Sequence, residues 1–153
     1  MTRRSFGFTL VEVVWAMTIV ALLTGLVLPK LNDLIRRAKA ARIATDFDVV
    51  RFAVLQFYTD SASYPAEVGS GVVPKGLRSY LPANFKWVKP DYTLDYENWI
   101  LPNGLPQRPG THVLIGLSVK TSDQRLGQMA MRIMGNEPKF TVGQKYTFII
   151  VGM

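Results

Sequence analysis

Hydrophobic and polar positions change period three times along this chain. From Phe8 to Leu28 the sequence is apolar almost throughout and carries one charge, Glu12. Coiled as a helix at about 1.5 Å per residue, that run is roughly 31 Å long, the thickness of a bilayer's hydrocarbon core. A core helix of a soluble domain is seldom so long and so apolar on every side. A cleaved secretory signal has a shorter apolar stretch and a small-x-small site after it, whereas Leu26-Val27-Leu28-Pro29-Lys30 follows here. The pattern predicts a retained membrane helix behind a short basic leader, Met1 to Gly7, that contains Arg3 and Arg4.

Pro29 lacks an N–H and crowds the preceding turn, so it kinks the helix rather than necessarily ending it. Helical spacing then resumes. Leu31, Leu34, Ala38, Ala41, Phe47, Val50, Val54 and Phe57 fall near one predicted face, with Arg36, Arg37, Lys39 and Arg42 mostly off it. The helix is expected to reach about Asp60 and to stop at Ser61-Ala62-Ser63-Tyr64-Pro65, because a residue before proline is pushed out of the α region. Continuous from Phe8, it would measure roughly 80 Å.

Beyond Pro65 the period shortens. Ala66 to Pro90 reads as loop, with a short helix near Gly76–Leu81. Tyr92 to Leu101 alternates as a strand, with Tyr92, Leu94, Tyr96 and Ile100 to one side and Thr93, Asp95 and Glu97 to the other. His112 to Thr121 reads as a second strand and Tyr146 to Val151 as a last one. Between them Ser122-Asp123 can cap a helix over Gln124 to Met134, ended by Gly135-Asn136. The expected fold class is α+β: a long N-terminal helical spine packed on a small antiparallel sheet of about three strands. The expected divisions are 1–7 (leader), 8–29 (membrane helix), 30–60 (soluble half of the spine) and 61–153 (globular head).

Composition narrows the function. At 153 residues the chain holds one modest core beyond the membrane segment. Its mean hydropathy of +0.14 comes largely from the N-terminal run. There is no cysteine, which excludes disulfides, thiol catalysis and cysteine-held zinc. His112 is the lone histidine and starts a strand, a structural position. No glycine-rich phosphate loop or nucleophile elbow is present. The chain reads as a non-enzyme with no required cofactor. Calcium would need several oxygens around one point, and Asp91, Asp95 and Glu97 are expected instead to lie along a solvated strand face. The formal charge of +7 falls to +5 without Arg3 and Arg4, which permits lipid headgroups or nucleic acid as partners without selecting either. The basic run from Lys30 to Arg42 reads first as a solvated face near anionic headgroups, with subunit pairing or nucleic-acid contact as the alternative.

Glu12 is the informative residue, since an ionisable group within a membrane helix is costly and is by default a functional hypothesis. Gly7-Phe8-Thr9-Leu10-Val11-Glu12, with a basic leader before it and an apolar helix after it, resembles the signal of type IV pilins and type II secretion pseudopilins. Tyr64-Pro65 after a helix ending Phe57-Tyr58 is similar to the pseudopilin pattern as well. The resemblance implies that a prepilin peptidase cuts after Gly7, that Phe8 becomes the N-methylated terminus, and that Glu12 sets assembly register by pairing with a terminal amine. It also implies that Pro29 is the helix kink. The implied role is a structural subunit, a minor pilin or pseudopilin, assembled into a type IV pilus or type II secretion pseudopilus. The alternative on the same scaffold is a competence-type or tip pilin that binds DNA or a surface. Implied partners are other subunits in a helical filament, the peptidase, an inner-membrane platform and an assembly ATPase. The implied location is the bacterial inner membrane, single-pass with the C-terminal domain outside the cytoplasm, and then a periplasmic or cell-surface filament. Charge alone would favour the other orientation, since Lys30, Arg36, Arg37, Lys39 and Arg42 outnumber Arg3 and Arg4 across the segment. Two family features are missing: the acidic-Pro-Trp-Gly calcium loop of major pseudopilins and the C-terminal cysteine pair of many major pilins.

Overall fold

The computed structural model describes residues 8–105 and 110–153, the side chains of 26–29 excepted. The chain forms two compact units, Met1–Ile35 and Arg36–Met153. One helix, α1 (Leu10–Ser61), contributes to both. Its assignment runs on through Pro29, and the kink expected there lies outside the described residues. Where described, the first unit from Phe8 to Ile35 is exposed on every face, as a helix built for an apolar surround must be.

In the second unit the core forms between one stripe of α1 and one sheet. The strands are β1 (Thr93–Ile100), β2 (Val113–Lys120), β3 (Lys139–Val142) and β4 (Lys145–Gly152), with α2 (Gln124–Ile133) between β2 and β3. All pairings are antiparallel, in the order β1-β2-β4-β3. The α+β class holds, but the sheet has four strands rather than three. The added strand, Lys-Phe-Thr-Val at 139–142, turns at Gly143-Gln144 into β4, with Gly143 at φ 60°. A two-residue glycine turn between alternating strands is a recognisable hairpin signal. The short helix expected near Gly76 is a single 3-10 turn, Leu77–Tyr80.

Ala40, Ile43, Phe47, Val50, Ala53 and Val54 of α1 are buried against Leu94, Tyr96, Ile115, Leu117, Val119, Tyr146 and Phe148 of the sheet. The rings of Phe47 and Phe148 meet edge to face at 5.8 Å. The face predicted for α1 was thus half right. Ala38 and Ala41 are exposed, because six residues separate Ala41 from Phe47 and a six-residue step crosses the helix. Ile100 also departs from expectation: it is 76% exposed, past the end of the core.

Polar ties flank the apolar stripe. Asp46, buried on α1, accepts from Lys89 and from the hydroxyl of Tyr92. Burial and the Asp46 carboxylate both hold the Tyr92 phenol well above its ordinary pKa. Removing one partner of such a pair strands the other in the core, a loss of about 3–5 kcal/mol. Arg51 reaches Glu137 at 3.1 Å. Arg36 reaches Asp123 at 3.1 Å, and Asp123 also caps α2 through the N–H groups of Arg125 and Leu126. Burial acts to raise the Asp123 pKa, but the Leu126 N–H and Arg36 prevail and lower it. The cap therefore stabilises above the ordinary carboxylate range and weakens as pH falls through the depressed value.

Helix α1 ends where Ala62 takes φ 51° and donates its N–H to the Tyr58 carbonyl. Tyr64 then stacks on Tyr58 at 4.5 Å, and the Pro65 carbonyl accepts from Asn98 on β1. Gly127 decides how closely α2 sits. A Cβ there would come within 2.0 Å of the Tyr146 ring. Gly127→Ala is expected to destabilise the head by about 1–3 kcal/mol, measured by denaturant unfolding of the detergent-solubilised chain. Gly69→Ala, which meets open space, is expected to stay within about 0.5 kcal/mol of the parent.

Candidate functional site

Helix α1 begins with a reciprocal cap. The Thr9 N–H and hydroxyl each donate to Glu12 Oε2 at 2.8 Å, and the Glu12 N–H donates to Thr9 Oγ1 at 3.3 Å. This is the capping-box arrangement, threonine at the N-cap and glutamate three residues on. It gives otherwise orphaned donors of the first turn a partner without help from water. The same economy continues along the apolar run. Thr18 donates to the Val14 carbonyl at 2.8 Å and Thr24 to the Val20 carbonyl at 2.7 Å. Hydroxyls satisfied within their own helix add little cost in lipid. Phe8, just outside the helix, is 87% exposed. Gly7 lies outside the described residues.

The sequence reading gave Glu12 a single partner, a terminal amine. The structure gives it Thr9. The Thr-x-x-Glu spacing ahead of an apolar run was a legible signal for this second role.

A second candidate surface is the face of α1 turned away from the sheet. By helical phase, Ala38, Ala41, Thr45, Asp48, Phe52 and Leu55 share it, and all are exposed. Phe52 is 72% exposed, which is unusual for a phenylalanine in the soluble half of a helix whose other face is fully buried. Leu31 and Leu34, in the first unit, are exposed as well.

The basic run from Lys30 to Arg42 divides between these faces. Arg36 and Lys39 turn inward and pair with Asp123 and Asp91. Arg37 and Arg42 turn outward and are exposed.

The expected solvated face of β1 is a correction. Asp95 and Glu97 are buried, at 4% and 7% exposure. Lys145 reaches across from β4 to Asp95 at 2.7 Å and Glu97 at 3.1 Å. Ser118 donates to Glu97 at 2.8 Å and lies 2.7 Å from the Thr147 hydroxyl. The register brings them together, since Asp95 pairs with Ser118 and Ser118 with Thr147. The carboxylates are engaged by an ammonium, whose pKa rises chiefly through the Asp95 contact. Asp91 is elsewhere, held by Lys39. The three acids that suggested calcium do not converge, and among the described residues no cluster of three metal-ligand side chains forms. His112 is exposed, with its ring nitrogen 3.2 Å from the Leu101 carbonyl. A strand alternation read from sequence reports which side a residue faces, not whether a long side chain from another strand covers it.

Comparison with known proteins locates the recognisable part of the chain at its N-terminus. A family model described as the prokaryotic N-terminal methylation motif matches residues 2–28. No curated protein sequence matches the chain. Among solved structures, the major type IV pilin PilA1 from Clostridium difficile aligns at 16% identity with a TM-score of 0.48, covering 76% of this chain and 97% of that one. The chain therefore carries a prokaryotic N-terminal methylation motif on the helix that leads into an α+β head, and the resemblance to type IV pilins read from Gly7 to Glu12 is borne out at that segment.

Proposed function

We propose that this protein is a structural subunit of a pilin-type filament, made as a membrane-anchored precursor, cut after Gly7 and methylated on Phe8. The observation that carries the reading is the methylation motif over residues 2–28, set on an apolar helix of membrane length. An apolar helix leaves lipid at low cost only when other apolar helices replace the lipid around it. A bundle of such helices at a filament core does this, with the heads outside. Glu12 sets axial stagger in that bundle, because few staggers bring it to a terminal amine in place of its local Thr9 donors. The outward face of α1 in the second unit, with Phe52 and Leu55 as its largest exposed apolar side chains, offers a further packing surface. A minor pilin or pseudopilin role accords with the missing calcium loop and cysteine pair. A prepilin peptidase, an assembly ATPase and an inner-membrane platform complete the machinery this role needs. In this reading the head stands outside the cytoplasm, first at the inner membrane and then in a periplasmic or cell-surface filament.

Co-expression with a prepilin peptidase is expected to remove Met1–Gly7 and add one methyl group to the new Phe8 terminus. Mass spectrometry of the mature N-terminus reads both, and an intact Met1 would refute the proposal. Glu12→Ala is expected to be processed normally yet to enter filaments poorly, measured as the sheared or cross-linked filament fraction. Incorporation at the parent level would reduce Glu12 to its capping role. Phe52→Lys is expected to leave the head's unfolding midpoint nearly unchanged, because the side chain touches no core, and to lower filament yield several-fold. An unaltered yield would remove the outward stripe from the interface.

A further inference from the structure

We propose that the free edge of β3 is a self-pairing site, at which the heads of two copies join antiparallel into one continuous sheet. The sheet is closed along one edge and open along the other. At β1, Gly71 donates its N–H to the Leu94 carbonyl at 2.9 Å and Trp87 accepts from the Leu94 N–H at 3.0 Å. The Asn98 side-chain amide donates to the Pro65 carbonyl at 2.8 Å on the same strand. At the other edge, β3 pairs with β4 alone. Among the described residues no main-chain group is hydrogen-bonded along its outer side.

The alternation of an antiparallel ladder identifies the free groups. The Ile149 N–H donates to the Pro138 carbonyl at 2.9 Å. Phe140 and Val142 therefore turn their main-chain groups toward β4, and Lys139 and Thr141 turn theirs outward. Such an unpaired row is a template for another strand. Charge, a common guard of an edge, is withdrawn here, since Lys139 folds its ammonium back onto the Gly135 carbonyl. Phe140, Thr141 and Val142 are all exposed, so neither face of the strand is covered. Phe140 and Val142 point to the side of the sheet opposite the α1 core, as the pairing of Phe140 with Thr147, Thr147 with Ser118 and Ser118 with Asp95 requires. Trp99 reaches across that side to within 5.8 Å of the Phe140 ring, over Gly116, where a Cβ would come within 3.1 Å of the indole.

The register selects the occupant. With a second copy antiparallel and Lys139 opposite its Thr141, the outward N–H and C=O groups of both residues are all bonded. The same register sets Phe140 against Phe140 of the second copy, beside Trp99, and an aromatic cross-strand pair adds to the main-chain bonds. A parallel pairing in register would instead stack Lys139 on Lys139. Four residues a side make a weak, reversible contact. Every group involved belongs to the second unit, so the pairing does not depend on the membrane helix.

The test uses the full chain in detergent. Sedimentation is expected to show a dimer fraction that rises with protein concentration. Thr141→Pro removes an outward N–H that the head itself does not use, and an edge strand accepts proline at such a position. With one bond lost from each copy, the association constant is expected to fall by about tenfold, while the head's unfolding midpoint is kept. Phe140→Lys sets two ammonium groups against one another and should have the same effect, which keeps the test open if Thr141→Pro misfolds. Because the chain has no cysteine, single cysteines report the register. Oxidation is expected to link Phe140→Cys chains far faster than Thr141→Cys chains, and the reverse order would overturn the proposed pairing. A dimer that both Thr141→Pro and Phe140→Lys leave intact would assign the association to α1 and overturn the proposal. So would a chain that stays monomeric at every concentration, which would leave the edge to an extended segment of a different protein.

Discussion

The structure of the second unit depends on the phase at which α1 meets the sheet. Ile43, Phe47, Val50 and Val54 are fully buried there, each contributing on the order of 1.5–3 kcal/mol from burial. With that stripe fixed, every other residue of the soluble half has its direction assigned at 100° per step. Arg36, Lys39, Asp46 and Arg51 flank the stripe and meet Asp123, Asp91, Lys89 and Glu137. Ala38, Thr45 and Phe52 point away. The flanking ion pairs are individually modest where exposed, and only Asp46–Lys89 is buried enough to be costly when broken. Their main effect is to prevent the apolar stripe from rotating or sliding against the sheet.

The two parts of this helix present different surfaces. Its first half presents apolar side chains all round and meets its polar groups internally, through Thr9 with Glu12 and through the Thr18 and Thr24 hydroxyls. Its second half is amphipathic in the ordinary sense, with one face committed to the head. Its outward face in the second unit, Ala38, Ala41, Phe52 and Leu55, is exposed and largely apolar.

What the sequence made legible follows from the range of the interactions involved. The apolar run, the stop before Pro65, the Asp123 cap and three strands are local signals, and each appears within a residue or two of its expected place. Ala38 and Ala41 were assigned to the buried face because the step from Ala41 to Phe47 was not followed round the helix. Asp95 and Glu97 read as solvated because nothing near them in sequence announces Lys145, which reaches them only through the register of β1, β2 and β4. The missed strand β3 carried a readable turn, but four residues give little periodicity to count. At the functional end, the motif around Gly7 and Phe8 was visible as residue identities alone, whereas the capping geometry of Glu12 needed its Thr9 neighbour to be read as a pair.

That pairing bears on how a carboxylate in an apolar segment stays tolerable. In the intact chain the first turn of α1 offers unsatisfied N–H groups, and Glu12 occupies two donors of Thr9. The carboxylate is then hydrogen-bonded and sits at the positive end of the helix dipole, which favours its charge. If cleavage places an amine on Phe8, a full cation appears one residue from the same cap. The carboxylate then has a backbone donor already in place at Thr9 and needs no unpaired intermediate. An amine from a neighbouring helix has to compete with that local site. The register preference in a bundle is therefore the difference between two satisfied states, smaller than the cost of a bare buried carboxylate.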